Sequence, residues 1–116
     1  MTIITKILLT VYAICSVESD FRNVINHDDG GSASYGICQI KAKTASWMTK
    51  KYGQNYSSDL MNRKENFNVA LMYYVYQLRR YDGDERCAIS AYNAGRCIKS
   101  NQNTYVSKVL RRREIK

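Results

Sequence analysis

Near the start of the chain, apolar positions recur at three- and four-residue steps. Ile4, Ile7, Leu8, Val11, Ile14 and Cys15 form one stripe of a helix that the spacing predicts over Ile3 to Glu18. Glu18 is the next member of that stripe. Periodicity alone leaves two readings open. Either the helix frays at Val17 and the acid is solvated, or a carboxylate sits on a core-facing position where burial disfavours its charged form. A polar stretch follows, Asn26-His27-Asp28-Asp29-Gly30-Gly31-Ser32. Its Asp-Gly and Gly-Gly steps suit tight turns, so a short hairpin or irregular β excursion is expected there, with His27 as a turn residue. A short helix around Thr44 to Met48 should close at Gly53. The polar loop Gln54 to Asp59 brings Ser57 and Ser58 as caps for the next element. A second long helix, from about Glu65 to Tyr81, carries Phe67, Ala70, Leu71, Tyr74, Leu78 and Tyr81 on one face. Asp82-Gly83 ends it. Asp84 can cap a helix through Cys87, Ala88, Ala91 and Tyr92 that Gly95 terminates. A last helix, about Thr104 to Arg113, should bury Tyr105, Val106, Val109 and Leu110. The expectation is a mainly α fold, four to five helices with one small β element, in a single domain spanning residues 1–116.

Composition narrows the class. The chain is 45% hydrophobic, which supports a packed core. Ten Tyr against two Phe and one Trp is a skewed aromatic set, and Tyr packs its ring while keeping a hydroxyl for a polar ligand. The formal charge of +8 implies attraction to an anionic surface such as a cell wall, a membrane or nucleic acid, without choosing among them. No apolar run is long enough to span a membrane. The four cysteines, Cys15, Cys38, Cys87 and Cys97, contain no Cys-x-x-Cys, and His27 is the only histidine, so neither a metal nor another cofactor is expected. Three disulfide connectivities are open, with Cys87 and Cys97 the most plausible local pair. Free thiols are favoured, because Cys15 falls on the apolar stripe and Cys38 in a constrained turn. Met1 to Cys15 also has some features of a signal peptide, but a single Lys and no small-x-small site favour a retained helix.

Three motifs in order carry a resemblance. Glu18-Ser-Asp-Phe21, then Ile25-Asn-His27 through Gly31-Ser32 to Gly36-Ile-Cys-Gln-Ile40, and finally Ala91-Tyr-Asn-Ala-Gly95 resemble the soluble lytic transglycosylase family of the lysozyme superfamily. The style is that of the small transglycosylases of secretion systems and pili or of phage. Asn66-Phe67 with Ala70 and Tyr73 resembles the family's cleft-flooring helix, and Tyr105-Val-x-Lys-Val109-Leu110 its closing helix. The resemblance covers about Ile7 to Leu110. It implies a lysozyme-like α+β fold and an enzyme that cleaves the β-1,4 bond between N-acetylmuramic acid and N-acetylglucosamine in peptidoglycan glycan strands. In that chemistry an acid protonates the leaving oxygen while the sugar gains oxocarbenium character. The resemblance makes Glu18 that acid, and then the base toward the C6 hydroxyl, giving 1,6-anhydro ends with no second carboxylate. A raised carboxyl pKa is what such a general acid requires.

The resemblance also places Gln39, Tyr92, Asn93, Tyr73, Ser32 and Gly36 at the substrate. Most have a plainer reading: Gln39 as a polar residue entering a helix, Tyr92 and Asn93 as a capped helix end, Tyr73 as core, and Ser32 as part of the turn-rich loop. For Tyr92 and Asn93 the functional reading is favoured, since Asn followed by Ala-Gly is an unusual way to leave a helix. Asp28 and Asp29 stand beside two glycines, so turn formation accounts for them. In a goose-type-like lysozyme one of them would instead activate water. The chain departs from the family's Gly-Leu-Met-Gln, followed by an apolar residue and Pro, with Cys38 in place of Met and Lys41 in place of Pro, and Lys41 would put a cation near the groove. A rival of another class is a non-catalytic basic module that holds glycan or nucleic acid through Arg111, Arg112 and Arg113. No nucleic-acid motif accompanies that tail, so a nucleic-acid partner is not expected. The expected partner is peptidoglycan, bound by a monomer acting on the wall from the periplasm or outside, phage-encoded or delivered by another route.

Overall fold

A computed structural model describes residues 2–55 and 59–114. Helix α1 spans Ile3–Ser19, with the Thr2 hydroxyl accepting from the Thr5 N–H at 3.1 Å as its cap. The helix does not fray at Val17. It ends one residue beyond Glu18, where Asp20 turns into the left-handed region at φ 58° and its N–H bonds Ser16 O at 2.9 Å. The stripe is buried in its second half, at Val11, Ile14 and Cys15, whereas Ile3 and Ile4 in the first turn are about 70% exposed.

A three-stranded antiparallel sheet follows in the order β1 (Ile25–Asp29), β2 (Ser32–Tyr35), β3 (Ile40–Lys41). The hairpin turns at Gly30 and Gly31, both at positive φ, and the register shifts between Asn26 and Asp29. The shift brings Asp29 opposite Ser32. Helix α2 (Ala42–Tyr52) is longer than the predicted core of it and closes at Gly53, φ 73°. The predicted caps Ser57 and Ser58 lie outside the described residues. Asn62 caps α3 (Arg63–Arg80) by accepting from the Glu65 N–H at 3.0 Å, so the helix starts two residues earlier than the apolar face indicates. Asp84 caps α4 (Glu85–Ala94), and Gly95 ends it at φ 85°. The closing segment is not one helix from Thr104. A 3-10 turn (Lys99–Asn101) and a wide π turn (Gln102–Val106) precede α5 (Ser107–Glu114).

Helix α1 packs against α3 on one side and α5 on the other, and α3 carries α4. The shared core gathers Val11 and Ile14 of α1, Met48 of α2, Val69, Ala70 and Tyr74 of α3, Ile89 of α4 and Val109 of α5. No helix among the described residues is long and apolar enough to cross a membrane.

The cysteines correct the free-thiol expectation: Cys15 pairs with Cys38 and Cys87 with Cys97. An apolar position on α1 does not protect Cys15 from pairing, because the turn after β2 presses Cys38 onto it, with the two Cα atoms 4.2 Å apart. The bridge ties α1 to the segment carrying Gln39 across 23 residues of chain. Replacing both cysteines by Ala should lower stability by about 3 kcal/mol through the freed loop entropy. Urea unfolding of the double variant against the oxidised protein checks this.

Candidate active site

The Glu18 carboxyl reaches a hollow of about 310 Å³ between α1, the sheet, α3 and the end of α4. Its position follows from α1: Cys15 and Ser19, the neighbours one turn back and one residue on, are both locked inward. Cys15 is held by its bridge, and Ser19 Oγ donates to Ile37 O at 2.5 Å. Burial pushes the Glu18 pKa up to about 6, the nearby charge of Asp29 adds to the rise, and a hydrogen bond from Tyr105 opposes it. The helix runs on past Glu18 to Ser19 and leaves its side chain half-buried in the cleft wall, so the frayed, solvated reading does not hold.

Tyr105 Oη donates to Glu18 Oε2 at 2.6 Å, across 87 residues of sequence. The contact depends on the π turn, which widens the backbone just before α5 and carries Tyr105 within it. The apolar pattern of the last helix places Tyr105 in the core. The available signal was its hydroxyl, which on an apolar face needs a partner just as a buried acid does. Tyr105→Phe should raise the Glu18 pKa further, because the lost hydrogen bond favours the anion. The alkaline limb of the activity profile should then move to higher pH, while kcat falls about ten- to a hundredfold as the carboxyl loses its fixed orientation. A pH–rate profile of the variant separates these effects.

Tyr92 and Tyr73 also line the hollow, with ring centroids 5.3 Å apart. The Tyr92 hydroxyl donates to Cys38 O at 3.2 Å, and burial together with the Glu18 charge holds its own pKa well above the ordinary value. Gln39 lines the hollow from a left-handed backbone conformation, φ 53°, that non-glycine residues rarely adopt. Its amide nitrogen donates to Val24 O and Gly36 O. Asn93 lines the hollow and accepts from Asn101 at 3.2 Å.

Gly36 is not part of the lining. It sits behind it at φ 79°, where a Cβ would come within 2.6 Å of Leu60 O and Asn66 Cγ. Asn66, fully buried on α3, accepts from the Cys38 N–H at 2.8 Å and donates to Tyr35 O and Leu60 O at 2.7 and 2.9 Å. The Asn66-Phe67 motif does not by itself disclose this role. A buried polar residue on an otherwise apolar helix face was the signal.

The two candidate acids of the hairpin part company. Asp29 lines the hollow and accepts a short hydrogen bond from Ser34 Oγ, while Asp28 is exposed and off it. Ser32 is likewise exposed and does not line the hollow. Lys41 does line it, and its ammonium donates to Asp29 O at 2.5 Å.

A carboxyl with its pKa raised toward neutrality, in a cleft lined by aromatic and amide side chains, can deliver a proton and take it back. No curated protein resembles the chain closely enough to count as a match. The family model described as the transglycosylase SLT domain matches residues 8–115, almost the full length and all of the cleft described above. Five helices with a small antiparallel sheet, among the described residues, are the mainly α, lysozyme-like arrangement of that family. The chain therefore belongs to the transglycosylase SLT domain family, the lytic transglycosylases that act on the glycosidic bonds of cell-wall peptidoglycan.

Proposed function

We propose that the chain cleaves the β-1,4 bond between N-acetylmuramic acid and N-acetylglucosamine with Glu18 as its single catalytic carboxyl. The observation that carries this reading is the place of Glu18 in the cleft wall, where Tyr105 fixes its carboxyl at 2.6 Å and burial pushes its pKa up to about 6. Protonated Glu18 gives its proton to the glycosidic oxygen as the bond to C1 breaks, and the carboxylate left behind faces a sugar with oxocarbenium character. The C6 hydroxyl of the same sugar then attacks C1 and returns its proton to Glu18. One bond is exchanged for another, no water is consumed, and the product ends in 1,6-anhydro-N-acetylmuramic acid. Tyr105 positions the carboxyl. Gln39, Tyr73, Tyr92 and Asn93 are the groups proposed to contact sugar, and Gly36 serves the site from behind by allowing Asn66 to approach. The described fold acts as one catalytic unit and as a monomer.

Two disulfides suit an oxidising compartment where the wall is met. The charge of +8 suits an anionic wall.

One observation favours a second reading. Asp29 shares the hollow, and its charge acts on Glu18. In an inverting hydrolase it would activate water from across the cleft.

Mass spectrometry of muropeptides released from purified peptidoglycan distinguishes the two. Anhydro ends, one water lighter than hydrolytic products, are expected. Reducing ends would transfer the role to Asp29, and no release would leave a glycan-binding module.

A further inference from the structure

Beyond the hollow the aromatic lining does not stop. Tyr73, at the hollow, stacks with Tyr76 one turn further along α3, with ring centroids 6.5 Å apart and an interplanar angle of 16°. Tyr76 in turn meets Trp47 of α2 edge-on at 4.7 Å. Trp47 itself lies one turn along α2 from Thr44, another residue of the hollow. Two helices thus present matching one-turn steps away from Glu18, and their faces form a continuous aromatic path. The path ends in the open: Trp47 is 40% exposed, whereas Ala45 and Met48 are the buried residues of α2. The Lys51 ammonium hangs over this end, 5.7, 5.8 and 5.5 Å from the rings of Trp47, Tyr52 and Tyr76. Those contacts are weak at an exposed site, and an incoming ligand can displace them.

We propose that Trp47, Tyr76 and Lys51 form a distal subsite for the glycan strand beyond the bond being cut. Trp47 offers a ring to a sugar face, and Lys51 a cation to the carboxylates of the attached stem peptide. The inference rests on the glycan-cleaving function proposed above and names where the rest of the strand lies. Three physical facts select this occupant. The path is continuous with the cleft. The C–H-rich face of a pyranose is electropositive and matches the negative face of an indole or phenol ring. The cation at the path's end complements the acidic stem peptides, whereas a purely apolar partner would leave its charge unused.

Trp47 is the only tryptophan, so its emission reports on this position alone. The test titrates the Glu18→Gln protein with neutral chito-oligosaccharides and with peptide-bearing glycan strands, following fluorescence and calorimetric heat together. The expected result is a saturable change in Trp47 emission that tracks the heat, with long chains binding more tightly than disaccharide. In the otherwise wild-type enzyme, Trp47→Ala should raise KM on long strands about tenfold with little change in kcat, and Trp47→Tyr should recover most of the loss. Lys51→Met should weaken peptide-bearing strands and not the neutral ones. Heat of binding with silent Trp47 emission, or wild-type KM in a correctly folded Trp47→Ala protein, overturns the subsite while leaving the cleavage reading intact. Equal effects of Lys51→Met on both ligands overturn the assigned role of the cation. Neither heat nor a change in emission with any saccharide, together with no release from peptidoglycan by the wild-type enzyme, removes the subsite and the glycan-cleaving function together.

Discussion

Glu18→Gln should fold, keep its grip on glycan and lose cleavage, with kcat/KM down about a thousandfold or more, since general acid catalysis of this kind contributes 10²–10⁴-fold. An amide in the same place can still accept the hydrogen bond from Tyr105, but it has no proton to give and cannot take one from the C6 hydroxyl. In the wild-type enzyme the acid must be protonated, so kcat/KM should be level at low pH and fall as pH rises through about 6. The same elevated pKa bears on stability. The folded protein binds this proton more tightly than the unfolded chain, whose carboxyl titrates near 4.5. The contribution is therefore fully present below pH 4.5 and is lost as pH rises through about 6, a difference on the order of 2 kcal/mol at most, reduced where water reaches the cleft. Glu18→Gln should accordingly match the wild type in urea at low pH and exceed it by roughly 1 kcal/mol above neutrality. A variant that kept its activity would remove Glu18 from the mechanism. One that was less stable at both pH extremes would show the carboxyl to be structural.

Asn66→Leu should be the most damaging single change near the cleft. Its side chain satisfies three backbone groups, the N–H of Cys38 and the carbonyls of Tyr35 and Leu60. A leucine leaves those that water cannot reach unpaired, at about 1–3 kcal/mol each, so a loss of about 4 kcal/mol is expected against a total of roughly 5–15 for a domain of ordinary stability. Gly36→Ala tests the same contact from the other side. Its methyl would press on Leu60 O and Asn66 in a backbone region that L-residues avoid, with an expected loss of about 3 kcal/mol. Both variants should also lower activity, because the turn they disturb holds Gln39 in the cleft wall and presents Cys38 O to Tyr92. Urea midpoints for the two, with Asn66→Asp as a less drastic partner, rank the contributions. Wild-type midpoints in both would show the turn to be held by the Cys15–Cys38 bridge alone.

The helices were legible where their signals are local. The three- and four-residue repeat of Ile7 to Cys15, the Asp84 cap and the Gly53 and Gly95 stops act within a turn or two of chain, and α1, α2 and α4 carry them. The hairpin followed from its two glycines in the same way. Boundaries slipped where a cap outweighed the apolar pattern, as Asn62 does for α3, and the π turn before α5 has no signature in the pattern at all. The free thiols were misjudged because pairing depends on how near two distant segments come, and nothing within 23 residues of loop states that distance. For the site, Glu18, Gln39, Tyr73, Tyr92 and Asn93 were singled out and do line one hollow, whereas Ser32, Gly36 and Asp28 do not.

By itself, then, the sequence determined which helices form, where the hairpin turns and that an acid ends the first apolar stripe, because hydrophobic periodicity and capping are short-range effects. Only the tertiary structure decided what that acid is. Its burial, the Tyr105 hydroxyl reaching it across 87 residues, the approach of Asp29, the Asn66 clamp and the aromatic path to Trp47 are all meetings of segments far apart in the chain. A pKa answers to what surrounds a group in space, and that is set when the helices pack.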